Sequence, residues 1–140
     1  MQLLTGTDKD AVGRFVSAWT EKMYGQNITA PFAVQLWMED DQPLDYVVYN
    51  WYTGSSIEIH VYTTKGLTRR LIRGIYNYTI EYLHCNVVIA KPARKTTKLT
   101  KILPKAGFKY LATIPMFYGK EKDDDAIMFY ITQDNAHRWK

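Results

Sequence analysis

The chain has 140 residues, of which 46% are hydrophobic and 23% are charged, so it has the size and composition of one soluble globular domain. No apolar run approaches the roughly 18 residues that a membrane span needs, and the first residues are too few and too polar for a signal peptide. The single cysteine, Cys85, excludes an internal disulfide and a cysteine-rich metal site, and it favours a reducing cytoplasm. We therefore expect a single domain over residues 1–140.

The net charge of +4 is unevenly distributed along the chain. Residues 1–60 carry three Lys/Arg against eight Asp/Glu, whereas residues 61–140 carry fifteen against six. Residues 65–109 contain eleven basic residues and one acidic residue, Glu81. Such a region attracts an anionic partner, which can be a nucleotide-like cofactor, a nucleic acid or an acidic protein. The alternative is a solvated basic face that only keeps the protein soluble.

The first part of the chain predicts a short strand, a helix and an antiparallel meander of three strands. A pattern similar to a capping box, Thr7-x-x-Asp10, begins the helix, and Gly25 is expected to end it. Residues at helical spacing predict its buried face: Val12, Phe15, Val16, Trp19 and Met23. Alternating residues predict the three strands "PFAVQLWMED", "LDYVVYNWY" and "IEIHVYT". The neighbouring aromatic residues are expected to lie mostly in the core and in cross-strand pairs, and the alternative is that they line a cleft for the acceptor: Trp37, Trp51, Tyr52 and Tyr62.

After Thr63 the spacing of the apolar residues changes from every second residue, typical of strands, to the spacing of a helix. A helix of about five turns is predicted from Leu67 to roughly Leu83, followed by the short buried strand "CNVVIA"; these elements form a βαβ unit with parallel strands. Thr96 or Thr97 should cap the next helix, and Gly107 should end it. Two strands around the charged turn "KEKDDD" complete the chain. The expected fold class is α/β, a mixed sheet with an antiparallel meander, a central parallel pair and helices on both faces.

This order of elements, together with the segment "TTKLTKILPKAGFKYL" and its Lys-x-Gly-Phe helix end, resembles the GNAT acyltransferases, which transfer an acyl group from acyl-CoA to an amine. The resemblance covers almost the whole chain, and it is closest in general look to small GNAT-like proteins of short-tailed phages, some of them associated with the virion. It implies acetyl-CoA as cofactor and an amine as substrate. It also implies the host cytoplasm or the virion as location, with a homodimer as one arrangement found in such folds.

In this family the fourth strand offers backbone groups to the pantetheine arm, and the next loop binds the pyrophosphate through Gln/Arg-x-x-Gly-x-Gly/Ala. The resemblance also implies a contact near the start of the late helix, where Thr96 stands at the position of a common asparagine of the family. It thereby places cofactor contacts on nine residues: Val61, Thr63, Lys65, Gly66, Thr68, Arg69, Arg70, Arg73 and Thr96. Thr68 and Arg70 stand at the two small positions. The loop is therefore either an altered phosphate site that uses arginines or a deleted one. Leu103 stands where the family commonly has the tyrosine that protonates the thiolate.

Glu58 and His60 are the candidate catalytic residues, because they lie two apart on one face of the fourth strand and either could accept the proton of the amine. The alternative is that both face solvent or pair with Tyr46 or Tyr49 on the adjacent strand. We expect Tyr110 and Tyr118 to be satisfied or exposed. No His or Cys spacing indicates a metal site, and we expect Asp123–Asp125 to form a solvated turn.

Three functions are consistent with the sequence and stand as hypotheses. The first is an acyl-CoA-dependent N-acyltransferase. The second is a catalytically silent phage protein that keeps the fold and docks on a phage or host protein through its basic surface. The third is a nucleic-acid binder that uses residues 91–109, and it is the least favoured because no nucleic-acid-reading motif is present.

Overall fold

The computed structural model describes residues 1–140, which form one seven-stranded mixed sheet in the order β1-β2-β3-β4-β5-β7-β6. The strands are β1 (Gln2–Thr7), β2 (Phe32–Glu39), β3 (Gln42–Asn50), β4 (Ser56–Thr63), β5 (Val87–Ala90), β6 (Lys109–Ile114) and β7 (Ala126–Thr132). The helices are α1 (Ala11–Tyr24), α2 (Arg69–Tyr76), α3 (Thr97–Lys105) and α4 (Gln133–Ala136). None of them is long and apolar enough to cross a membrane.

The alternation of apolar residues along the strands produces a core on each face of the sheet. On one face, Val34 and Leu36 of β2 pack with Val16 of α1. On the other face, Trp37 of β2 and Ile59 of β4 belong to a larger core that also contains the buried residues of α2. The sheet is therefore covered by helices on both faces, and the GNAT-like α/β fold expected from the sequence is confirmed.

The strand pairing also agrees with the prediction. β1 to β4 pair antiparallel in sequence order, and β4 pairs parallel with β5. β6 and β7 form the expected final hairpin, and β7 lies between β5 and β6. The βαβ unit thus places the only parallel pair in the middle of the sheet, where a cavity opens.

Two helix boundaries differ from the prediction. Asp10, and not Thr7, is the N-cap of α1, because the two carboxylate oxygens of Asp10 accept the N–H groups of Gly13 at 3.1 Å and Thr7 at 2.9 Å. α2 ends at Tyr76 and continues as a π-helical segment, Asn77–Tyr82. Within that segment Thr79 donates its hydroxyl to the carbonyl of Ile75 at 2.7 Å, which competes with the regular backbone bonds.

The predicted helix ends are confirmed at two glycines. Gly25 adopts a left-handed conformation, with φ +64°, and its N–H bonds to the carbonyl of Glu21. Gly107 has φ +109°, and the N–H of Phe108 reaches back to the carbonyl of Leu103 at 3.0 Å. The N–H of Gly107 bonds in addition to the carbonyl of Pro104, so the end of α3 is a Schellman motif.

Four apolar residues expected in the core are exposed instead: Phe15, Met23, Trp51 and Tyr52. On α1 the buried face passes through Val16 and Thr20, whose hydroxyl lies 2.7 Å from the hydroxyl of Tyr46. After β3, a φ of +57° at Trp51 turns the chain out of the sheet, so the indole leaves the strand's buried face. Of the four exposed side chains, Trp51 alone lines the cavity.

Candidate active site

The cavity forms where the parallel pair separates. β4 and β5 are paired only as far as Ile59 and Ala90, although β4 continues to Thr63. The chain after β5 turns towards β7 instead, because the carbonyl of Pro92 accepts the N–H of Ile127 at 2.9 Å. The edge of β4 that faces β5 is therefore open over residues 60–63. Beside it lies a cavity of about 950 Å³, which is the size of a small-molecule site.

Glu58 and His60 both line this cavity. Glu58 Oε1 lies 2.7 Å from Lys91 Nζ, an ion-pair distance, although the angle departs from that of a hydrogen bond. Burial lowers the pKa of His60; Glu58 opposes this shift and Lys91 adds to it. The imidazole is therefore neutral at neutral pH and able to accept a proton. Neither residue pairs with Tyr46 or Tyr49, whose hydroxyls bond to Thr20 and Gln35.

The loop between β6 and β7, residues 115–125, forms one wall of the cavity. It is held against the segment after β5 by two ion pairs, Lys95 with Asp124 at 2.7 Å and Arg94 with Asp125 at 3.5 Å. The predicted turn around Asp123–Asp125 is present, but the expectation that it is solvated is wrong for Asp124 and Asp125, because their part-buried carboxylates form these ion pairs. Because the loop is fixed, it presents Phe117 and Tyr118 to the cavity.

Tyr118 lines the cavity, whereas Tyr110 lies away from it. The hydroxyl of Tyr118 donates to the carbonyl of Lys91, and burial together with the charge of Glu58 raises the pKa of Tyr118 to about 12. The hydroxyl of Tyr110 lies 2.8 Å from that of Thr113 on β6 and does not line the cavity. Leu103, at the position of the family's tyrosine, is buried under the cavity.

The loop after β4 is tied back to the sheet. Asp45 on β3 is fully buried; it pairs with the guanidinium of Arg70, and its Oδ1 lies 2.7 Å from the hydroxyl of Thr63. The hydroxyl of Thr68 accepts the N–H of Leu71 at 3.3 Å, which makes Thr68 the N-cap of α2. Both side chains that replace the family's small residues are therefore drawn back onto the protein.

The backbone N–H groups at the start of α2 remain available to bind a ligand. The N–H groups of Arg69 and Arg70 have no hydrogen-bond partner, as expected for the first turn of a helix whose cap serves Leu71. Gly66 has φ +81°, and a Cβ added there would lie 3.6 Å from Ile102 Cδ1, so this loop adjoins α3. The loop, the first turns of α2 and the adjoining α3 carry five exposed basic residues: Lys65, Arg69, Arg73, Lys98 and Lys101.

The nine predicted cofactor residues fall into two groups. Val61, Thr63 and Thr96 line the cavity, and Thr96 is the N-cap of α3 without a side-chain hydrogen bond. The other six, from Lys65 to Arg73, lie beyond the end of β4, on the loop and the first turns of α2.

Two residues that line the cavity, Lys91 and Phe117, were not predicted as site residues from the sequence, and Trp51 was predicted there only as the alternative to a core position. Lys91 had a usable signal, because it comes directly after the buried strand of the βαβ unit, where the parallel pair ends. The sequence pattern of the β6–β7 loop contained no such signal, since its position depends on ion pairs with a distant segment.

A mixed seven-stranded sheet whose single parallel pair separates at a cavity is the GNAT fold, the fold of the acyl-CoA N-acyltransferases. Solved structures agree with this assignment. Spermidine N-acetyltransferase SpeG from Vibrio cholerae (F149A mutant) superposes with a TM-score of 0.75 and 14% identity over 97% of both chains. The structure of yncA from Salmonella typhimurium, solved with its cofactor acetyl-CoA, gives 0.69 and 14% over 96% of this chain and 94% of that one.

An acetyltransferase of the GNAT family from Bacillus anthracis gives a TM-score of 0.58 at 12% identity, over 74% of this chain and 66% of that one. At such identities the likeness shows the fold alone. No protein-family model and no curated protein matches the sequence.

Proposed function

We propose that the protein is an acetyl-CoA-dependent N-acetyltransferase, in which His60 is the base. The observation that carries this proposal is the open edge of β4 over residues 60–63, which borders a 950 Å³ cavity beside a neutral histidine. An unpaired strand edge offers backbone donors and acceptors to an extended ligand. The pantetheine arm of acetyl-CoA is such a ligand.

The residues present fit the phosphate end of acetyl-CoA. The free N–H groups of Arg69 and Arg70 lie at the N-terminus of α2, where an anion is favoured. The side chains of Lys65, Arg69 and Arg73 are exposed nearby and can replace the contacts that a glycine-rich loop would make. Arg70 contributes through its backbone, because its side chain is engaged by Asp45.

When bound, acetyl-CoA supplies an acetyl group activated as a thioester. The amine nitrogen would form the new C–N bond to the acetyl carbon while the C–S bond breaks, and the imidazole of His60 would accept the proton that the amine loses. CoA would leave as the thiolate, which takes up a proton from solvent. Glu58 stands two residues away on the same face of β4, so its negative charge stabilises the imidazolium that forms. Lys91 holds Glu58 in place through the 2.7 Å ion pair.

The test is isothermal titration of the full chain with acetyl-CoA, with thermal shift as a second readout. We expect micromolar binding, and we expect Arg69→Ala to weaken it about tenfold by removing one phosphate contact. Arg14→Ala is the matched control, since Arg14 is an exposed arginine on α1, away from the cavity. Absence of heat at millimolar acetyl-CoA would reject the proposal.

The alternative proposal is a catalytically silent protein that docks on a phage or host partner through its basic surface, in the host cytoplasm or the virion. Of the eleven basic residues in 65–109, four form ion pairs: Arg70, Lys91, Arg94 and Lys95. The other seven are exposed, and they support such a docking surface. A flat titration with acetyl-CoA, combined with recovery of one defined partner that Lys101→Glu prevents, would favour this alternative.

A further inference from the structure

Aromatic side chains are concentrated at the cavity. Five of them line it: Tyr24, Trp51, Tyr62, Phe117 and Tyr118. Four of these rings remain between 40% and 57% exposed, the exception being Tyr62. Large apolar side chains that stay exposed and share one concave site are typical of a surface that binds an apolar ligand.

The five rings come from separate parts of the fold, and four of them pack in pairs. Tyr24 ends α1 and packs on Tyr62 of β4, with ring centroids 5.2 Å apart. Phe117 and Tyr118 are perpendicular neighbours at 4.8 Å on the loop fixed by the two ion pairs. Such an arrangement offers both faces and edges of rings, which is the geometry that another aromatic ring prefers.

The charged residues that line the cavity disfavour the binding of a polycation. Glu58 is the only carboxylate among its lining residues, and Lys91 already pairs with it. Lys98 adds an unpaired positive charge to the same lining, and the charge of Lys95 is balanced by Asp124, which does not line the cavity. A polyamine carries further ammonium groups besides the one that reacts, and each would face lysines without a free carboxylate to balance it.

We propose that the acceptor is a monoamine with an aromatic body, and not a polyamine. The aromatic body lies against the rings of Trp51, Phe117 and Tyr118, and the amine reaches towards His60. This inference rests on the proposed acetyl transfer, and it narrows the substrate to arylalkylamines whose second charged group, where they have one, is negative.

The experiment compares tyramine with spermidine, each titrated into the full chain at one fixed ionic strength and followed by calorimetry. We expect tyramine to bind at least about tenfold more tightly. Trp51→Ala should weaken tyramine binding by about fivefold to tenfold, because a stacking surface is lost. Phe15→Ala is the matched control, since Phe15 is an exposed aromatic residue on α1 that does not line the cavity.

Binding of spermidine as tight as that of tyramine would overturn the inference. Equal losses of tyramine affinity in Trp51→Ala and Phe15→Ala would also overturn it. A parallel titration with acetyl-CoA separates the two proposals. Tyramine binding without acetyl-CoA binding rejects acetyl transfer and keeps the aromatic amine site, whereas acetyl-CoA binding without preference for tyramine rejects the acceptor class alone.

Discussion

The guanidinium of Arg70, in the first turn of α2, pairs with the carboxylate of Asp45, which is fully buried on β3. This pair fixes the end of β4 as well, because Asp45 also holds the hydroxyl of Thr63 at 2.7 Å. An arginine at a position that is small in the GNAT family thus has a structural partner inside the protein. Its contribution to stability can be measured apart from the cofactor binding that we propose.

The first prediction concerns that separation. Arg70→Ala should lower the free energy of unfolding by about 3 kcal/mol, because it leaves a buried carboxylate without its partner. Arg69→Ala, whose side chain is exposed and unpaired, should change stability by less than about 0.5 kcal/mol. Urea unfolding of both variants measures the difference. If both lose the same stability, the buried pair does not contribute as described.

The elements could be predicted because their signals are local. The period of two in "IEIHVYT" and the helical spacing after Leu67 require no knowledge of distant residues, and Gly107 before Phe108 indicates a helix end by itself. The hairpins and the βαβ unit account for the order from β2 to β5 and for the pairing of β6 with β7, but they do not specify that β7 lies beside β5. The same local signals predict that the loop after Thr63 lies between a strand and a helix.

The walls of the cavity could not be predicted in this way. Lys95 and Asp124 are 29 residues apart, and nothing in either segment specifies the other. The exposure of Trp51 depends on a positive φ that its residue type does not indicate. The long-range ion pairs and one backbone turn therefore decide which aromatic side chains reach the site, and they become visible only in three dimensions.

A second prediction concerns Gly74, in the middle of α2. Replacing a helical glycine by alanine normally stabilises a helix by up to about 1 kcal/mol. Here a Cβ would lie 2.7 Å from Cη2 of Trp37, a buried core residue, so the added methyl group overpacks the core. We expect Gly74→Ala to lower the free energy of unfolding by about 1 kcal/mol or more.

The smaller ring in Trp37→Phe should remove that clash. In the Trp37→Phe background, Gly74→Ala should be neutral or stabilising, and a double-mutant cycle from urea unfolding gives the coupling between the two sites. Additive effects of the two substitutions would contradict the packing explanation.

A third prediction concerns the wall formed by residues 115–125. Asp125 accepts the N–H of Met116 at 3.0 Å and pairs with Arg94. Asp125→Ala should therefore loosen the loop, at a cost of about 1–2 kcal/mol for the lost bonds. Amide hydrogen exchange in residues 115–125 should accelerate in this variant but not in Asp123→Ala, whose exposed side chain makes no hydrogen bond. Equal exchange in the two variants would show that the carboxylate of Asp125 does not hold the wall.

The last prediction concerns pH. Because burial lowers the pKa of His60 from 6.5, the imidazole stays neutral at neutral pH, and the proposed acetyl transfer should decline only as the pH falls below about 6.5. His60→Gln should reduce kcat by about a hundredfold and remove this limb of the pH profile.

Stability should change in the same direction. The unfolded chain takes up a proton on His60 near pH 6.5, before the folded protein does, so the free energy of unfolding falls as the pH drops below 6.5 and levels off below the folded pKa. Urea unfolding of the wild type and of His60→Gln across this pH range isolates the contribution of His60 to the free energy of unfolding. NMR titration monitors the His60 ring directly, and the exposed His84 is observed in the same spectra. A His60 resonance that titrates at or above pH 6.5 would contradict both the base assignment and the stability slope.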